Sequence, residues 1–172
     1  MTLTDEELFS LFVNRKDVYA VKTRNGMYIP VHKEFTLEKI RNHLAGKRCY
    51  GVYQLDTDNT VKWCCVDIDT KNGLTRVNVP ALARELKCHM DARIFIEETS
   101  RGFHVWACYG RKIAAAQARE CVVTVVKNSP FRFCEVFPKQ TELNGRRKYG
   151  NLVNFPMATH PVTGWRNTMM EV

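Results

Sequence analysis

The sequence lacks the features that would place it in a membrane, in an oxidising compartment or around a structural metal. No apolar run approaches the roughly 20 residues needed to span a bilayer. The opening MTLTDEELFS carries acids and no basic stretch, so no secretory signal is expected. The seven cysteines (49, 64, 65, 88, 108, 121, 134) form no CxxC pair and no Cys/His cluster at zinc spacing, which argues against a structural zinc. An odd number of thiols, several inside apolar runs, fits a reducing cytoplasm where free cysteine packs as a small hydrophobe. Low-complexity tracts and internal repeats are also missing, which excludes solenoids and linkers. A cytoplasmic globular protein is expected.

What is present is a chain of 172 residues, 45% hydrophobic and 26% charged, long enough for one domain with a substantial core. Its 26 Lys and Arg against 18 Asp and Glu leave a net charge of +8, which favours polyanionic partners, nucleic acid first.

Thr4 and Glu7 have capping-box spacing, and Leu8, Leu11 and Phe12 share a stripe, predicting a first helix to about Asn14. VYAVKT and MYIPV flank the turn signal RNG, so residues 18–31 read as a hairpin. FTLEKIRNHLAG reads as a second helix with Thr36 as N-cap and Gly46 as its stop. YGVYQLD and TVKWCCVDID, joined by TDN, read as two antiparallel strands. Pro80 suits the first turn of a third helix, VPALARELKCHM, with Leu82, Leu86 and Met90 about a turn apart. RIFIEET and HVWACY read as strands on either side of SRGF. Residues 113–128 mix helix and strand formers, and an unbroken run to Pro130 predicts a helix. FRFCEVF reads as a strand, PKQTELNGRRKY as a basic loop and GNLVNFP as a last strand; THPVTGWRNTMMEV has no clear pattern. Strands and helices without strict alternation argue α+β: a single domain over 1–172, mostly antiparallel sheet, with helices on one face and the other free to carry a site.

Within TVKWCCVDID, Asp67 and Asp69 lie two positions apart, so a strand sends both carboxylates to one face and Val66 and Ile68 to the other. Such a pair repels itself unless a cation neutralises it, and hard oxygen ligands select Mg²⁺ or Mn²⁺. The plain alternative is a strand end whose acids face water. ETSRGFHVW offers a hydroxyl, turn N–H groups and His104 to a phosphate, although a lone strand histidine is often structural. CEVFPKQ adds Glu135 as a third acid and Lys139 as a cation for phosphate. Arg146, Arg147 and Lys148 extend a basic flank suited to nucleic acid, or form a solvated loop.

VDID, SRGFHVW, EVFPKQ and GNLVNFP, in this order, resemble the catalytic core of the archaeo-eukaryotic primase superfamily, in particular the primase-polymerases of phages, plasmids and conflict-system operons. LFVNRKDVYAV, MYIPVH and GVYQLDTDNTVKWCCVDID share the resemblance, which runs from about residue 9 to about residue 157. It implies an RRM-like sheet with packed helices over residues 61–157 plus an N-terminal α/β module over 1–60. By position, Asp67 and Asp69 match the family's metal-binding DxD pair and His104 the histidine that contacts the incoming triphosphate. Glu135 falls where a third acid is expected; many relatives have aspartate there, and some place the acid one position earlier, where this chain has Cys134. Relatives often show Ser-Gly where this chain has Thr99-Ser100, so phosphate contacts are expected from either hydroxyl, with Arg101 beside them. Lys139 and Asn151 match positions of the nucleotide pocket, and Arg15 is a further candidate.

The resemblance implies a template-dependent nucleotidyltransferase, a primase or DNA polymerase, joining nucleoside triphosphates on single-stranded DNA through two Mg²⁺ or Mn²⁺ ions. The basic surface would hold the template by counterion release. Relatives often carry zinc-binding or helicase modules, so a helicase or other replication protein is an expected partner. The chain reads either as a minimal stand-alone enzyme or as the catalytic piece of something longer. Three rivals stand beside this reading. One is an RNA-binding module, because RGFHVWACY partly matches the RNP1 pattern of RNA-recognition motifs. The others are a catalytically weak relative in a replication or defence complex, and a metal-dependent nuclease.

Overall fold

The strand Thr60–Asp69 divides the interior by parity: Cys64, Val66 and Ile68 point into one apolar layer, Trp63 and Cys65 into another. The computed structural model describes residues 3–70, 77–144, 148–160 and 162–172. In chain order the elements are α1 (Asp5–Phe12), β1 (Tyr19–Lys22), β2 (Tyr28–Val31), α2 (Leu37–Leu44), β3 (Tyr50–Tyr53), β4 (Thr60–Asp69), α3 (Val79–His89), β5 (Arg93–Glu98), β6 (Gly102–Ala114), α4 (Ala115–Lys127), β7 (Glu135–Phe137), β8 (Leu152–Asn154) and β9 (Thr168–Glu171). They build two antiparallel sheets, ordered β2-β1-β3-β8 and β7-β4-β6-β5-β9. The succession β4-α3-β5-β6-α4-β7, with β4 and β6 at the centre, is the split βαβ arrangement expected of an RRM-like unit. The α+β class of the sequence reading therefore holds.

One face of the five-stranded sheet is covered by α3 and α4. Leu82, Ala83 and Leu86, with Ala118, Val122 and Val126, pack on Val66, Ile68, Ile94, Val105 and Ala107. The other face meets α1 and the four-stranded sheet, through Leu8, Phe12, Tyr19, Val52, Phe155, Trp63 and Trp106. Trp63 and Trp106 lie edge to face with ring centroids 5.0 Å apart, a pairing worth about 0.5–1.5 kcal/mol beyond its buried area. Trp63 Nε1 donates to the carbonyl of Phe12 at 2.9 Å, so its burial leaves no orphaned donor.

Several expectations change. Two sheets replace the single one, and the second face of the large sheet is largely covered, not free. The strands around TDN form a turn but do not pair: β3 joins β1 and β8, whereas β4 joins β6 and β7. FRFCEVF is extended only over Glu135–Phe137. Its first half turns because the Ser129 hydroxyl accepts from Phe131 N and the Phe131 carbonyl accepts from Cys134 N. β6 continues to Ala114, past HVWACY. The ending without a clear pattern supplies β9, an edge strand on β5. Thr4 forms the full capping box, and Gly46 closes α2 with a φ of +70°, but Thr36 makes no side-chain cap bond. All seven thiols are free, with Cys49, Cys64, Cys65 and Cys108 buried. No helix among the described residues is long and apolar enough to cross a membrane.

Candidate active site

Strand register carries four titratable side chains across the large sheet in one row. Glu135 on β7 lies opposite Asp67 on β4, Asp67 opposite His104 on β6, and His104 opposite Glu97 on β5. The neighbouring row on the same face is Phe137, Cys65, Trp106 and Phe95, all buried. The polar row thus begins where the core between the sheets ends. Asp69 follows Asp67 by two and lies opposite Gly102, which puts it on the same face.

Asp67, Asp69, His104 and Glu135 line a cleft of ≈ 750 Å³. Asp67, Asp69, His104 and Glu135 come from the large sheet and Arg101 from the turn before β6; Lys22, Tyr28 and Asn154 come from the small sheet, with Cys49 just before β3. On the latter wall the Asn154 carboxamide oxygen accepts from the Tyr28 hydroxyl at 2.6 Å and from the Cys49 thiol at 3.2 Å. Residues 158–160 close a third side.

Glu97 is 1% exposed, and its carboxylate is fully engaged. One oxygen accepts from His104 Nδ1 at 2.8 Å and from Trp106 Nε1 at 3.0 Å; the other accepts from Met157 N at 2.7 Å and Asn167 Nδ2 at 2.9 Å. Burial alone would raise the Glu97 pKa, but its bond to His104, the histidine's charge and the other donors leave it below the usual carboxylate value. For His104 burial pulls downward, and the hydrogen bond and charge of Glu97, together with the charge of Asp67, turn the result upward. A carboxylate only accepts, so Nδ1 carries the proton and Nε2 faces Asp67, whose Oδ1 is 3.7 Å away.

Burial raises the Asp67 carboxyl; His104 and Arg101 counter it, while Glu135 and Asp69 reinforce it. Glu135 directs its carboxylate to Lys139 Nζ at 2.7 Å. The turn that precedes His104 is set by Thr99: its hydroxyl oxygen accepts from the N–H groups of Arg101 and Gly102, and its own N–H donates to the Gly102 carbonyl. Thr70 donates to the carbonyl of Arg101 through both N–H and hydroxyl, tying this turn to the end of β4.

A family model for the archaeo-eukaryotic primase domain of the TOTE conflict system matches residues 6–170. The chain belongs to that family. It is a family of the primase, nucleotidyltransferase type. No curated protein matches the chain.

In this primase domain the acids and the histidine singled out from the sequence share one cleft, with Thr99, Ser100 and Arg101 at its edge. The other candidates lie elsewhere. Lys139 pairs with Glu135 and borders a smaller hollow with Tyr53, Gln140, Lys148, Tyr149 and Asn151. The Asn151 side-chain oxygen accepts from Lys139 N and Gln140 N, so it shapes that turn. Arg15 is 6% exposed; its guanidinium holds Asp17 through two bonds and donates to the Lys148 carbonyl at 2.8 Å, so it anchors the loop and does not line the cleft. Arg146 and Arg147 lie outside the described residues.

Sequence reasoning missed Glu97, Asn167, Lys22, Tyr28 and Asn154. For Glu97 a signal exists: in RIFIEET, period-two alternation puts it on the face of Phe95. The donor set suits a hard divalent cation, being oxygen-rich with an Asp67 charge that burial and neighbouring acids disfavour. Among the described residues, however, no three acid, histidine or cysteine side chains converge closely enough to hold an ion. Asp67 and Asp69 offer the base of such a site.

Proposed function

We propose that this domain is a template-dependent nucleotidyltransferase that joins nucleoside triphosphates on single-stranded DNA, acting as a primase, a polymerase or both. The observation that supports it most is the row Glu135, Asp67, His104 in a cleft shared with Asp69 and with the cations Lys22 and Arg101. Asp67 and Asp69, joined by Glu135 once it turns away from Lys139, would hold Mg²⁺ or Mn²⁺. When bound, these ions lower the pKa of the attacking 3′-hydroxyl and neutralise the departing pyrophosphate. His104, held with Nε2 toward the cleft, donates to a phosphate oxygen from Nε2–H when the ring carries a proton on both nitrogens. Arg101 and Lys22 add positive charge on either side of the triphosphate, and Ser100 offers a hydroxyl. Lys139, released from Glu135, becomes a further cation at the same edge. The net charge of +8 favours a polyanionic template without reading its sequence.

The RNA-recognition rival loses support. A stacking module needs exposed aromatics on its central strands, whereas Trp63, Phe103 and Trp106 are 0%, 7% and 0% exposed.

The deciding experiment supplies purified protein with Mn²⁺ or Mg²⁺, labelled ATP or dATP and a single-stranded template, with and without primer. Longer products that vanish in the Asp67→Ala, Asp69→Ala double variant support the reading. A double variant that polymerises like the wild type refutes the site, and shortened strands point to a nuclease.

A further inference from the structure

Among the described residues, the buried carboxylate beside the cleft that the proposed chemistry leaves without a task is Glu97. It sits at the inner end of the polar row, 1% exposed, with four hydrogen-bond donors on its two oxygens. Burying a carboxylate this deeply is costly unless each lone pair is used, and an apolar residue would fill the position at lower cost. The donors converge from distant places: His104 and Trp106 from the adjacent strand, Met157 and Asn167 from 60 and 70 residues further along the chain. Met157 adopts a φ of +62°, a conformation that non-glycine residues rarely take, and its N–H donates to Glu97. Backbone strain is thus tolerated where it completes the cradle of this carboxylate.

We propose that Glu97 is a positioning residue of the triphosphate pocket: its inner oxygen, which also accepts from Trp106 Nε1, accepts from His104 Nδ1–H and so fixes the ring plane, presenting the Nε2–H of the imidazolium to a ligand phosphate. This rests on the nucleotidyltransferase reading for the identity of the ligand. Met157 and Asn167 hold Glu97 itself from the opposite side, which stops the carboxylate from rotating away. An outer partner that orients a ligand-binding imidazole in this way changes function by about 10–100-fold when removed from metal sites, and an effect of that order is expected here.

Two measurements test it. In ¹⁵N-labelled wild-type protein, long-range imidazole correlations assigned with His104→Gln among the five histidines are expected to show His104 protonated on Nδ1. A His104 ring with a bare Nδ1 overturns the proposal without reference to any nucleotide. The second is titration of ATP with Mn²⁺ into wild type, Glu97→Gln, Glu97→Asp and Asn14→Ala, each first shown to unfold cooperatively. Glu97→Gln is expected to weaken ATP binding about tenfold or more, whereas Asn14→Ala, which loses two buried hydrogen bonds to the Gln54 and Thr60 carbonyls away from the cleft, lowers the melting temperature but leaves ATP affinity within about threefold. ATP affinities that follow the melting temperatures across the set reveal a purely structural role and overturn the proposal, as does a folded Glu97→Gln or Glu97→Asp that binds like the wild type. Wild-type protein that binds no ATP refutes the nucleotide reading instead, and does so before any variant is compared.

Discussion

Gly102→Ala offers the sharpest test of how the two aspartates are placed. Gly102 opens β6 directly opposite Asp69, and a Cβ built there would lie 1.9 Å from the carbonyl oxygen of Ile68, 3.0 Å from its carbonyl carbon and 3.2 Å from Asp69 Cα. Contacts below 3.0 Å are essentially never seen for real Cβ atoms, so the shortfall is 3.0 − 1.9 = 1.1 Å. The obstacle is backbone, so no side-chain rotation relieves it, and β4 and β6 must part at the residues between Asp67 and Asp69. Overpacking costs about 1–3 kcal/mol, and a backbone clash belongs at the upper end, roughly 3 kcal/mol. For a chain of this length each kcal/mol moves the melting temperature by about 2–4 °C, giving a loss of roughly 6–12 °C. Gly26→Ala is the control: nothing lies within 4 Å of its Cβ, and only its φ of +81° resists, so a cost of about 1 kcal/mol is expected. Differential scanning calorimetry gives the stabilities, and Mn²⁺ titration shows whether the acids have moved. Gly102→Ala melting within 1–2 °C of wild type, with wild-type Mn²⁺ affinity, refutes the account of this strand pair.

Three further outcomes are expected. Burial of His43, which accepts from Tyr50 N and meets the Pro156 carbonyl, pushes its pKa down to about 4. The neutral ring therefore supports folding fully above pH 6.5, and this is lost as pH falls from 6.5 toward 4. At about 1.36 kcal/mol per unit the loss is roughly 3 kcal/mol, visible in urea titrations and reduced in His43→Gln. The Asp67 carboxyl is raised, first by burial, so its contribution to folding is present below the ordinary aspartate pKa and lost as pH rises through the raised value. Chelator-treated Asp67→Asn should thus be more stable than wild type near neutral pH, with the gap closing in acid; equal stabilities at pH 7 contradict this. Phe133 is 77% exposed at the cleft edge with the Arg132 guanidinium 4.7 Å from its ring centre. Phe133→Ala should weaken oligo(dT) binding by roughly 1–3 kcal/mol with an unchanged salt slope, while Arg132→Ala flattens the slope, as fluorescence titration at several salt concentrations will show.

The parity of VDID and the order of the motifs single out Asp67, Asp69, His104 and Glu135, which the fold brings into one cleft, because strand alternation is a local property and four short motifs keep their succession along the chain. Glu97 escaped because a glutamate beside another glutamate near a strand end reads as solvated; what buries it are Met157 and Asn167, contributed by a segment without any periodic signal. The separation of β3 from β4 was hidden for the same reason. Their TDN turn is formed, with Asn59 N donating to the Asp56 carbonyl, but the partners that decide the sheets are β8, about a hundred residues later, and β6 and β7. Arg15, a candidate from its place in a stretch that shares the resemblance, lies apart from the cleft, because Asp17 and the Lys148 carbonyl hold its guanidinium, a pairing across the fold that no local pattern shows.

One alternation along β4 delivers both the core and the site. Trp63, Cys65, Asp67 and Asp69 leave the same face, yet the first two are fully or almost fully buried while the Asp67 side chain is 41% exposed. The strand does not change direction between them; the cover does. α1 and the small sheet roof the inner rows through Phe12 and Phe155, and the small sheet reaches the outer row only as the far wall of the cleft, through Lys22, Tyr28 and Asn154. A single rigid strand paired on both sides therefore fixes the carboxylates relative to His104 and Glu135, while the opposite wall belongs to a separate sheet. Substitutions in β4 or β6 should change the relation among the charged groups themselves, whereas substitutions in β1, β2 or β8 should change what the cleft admits and leave that relation intact.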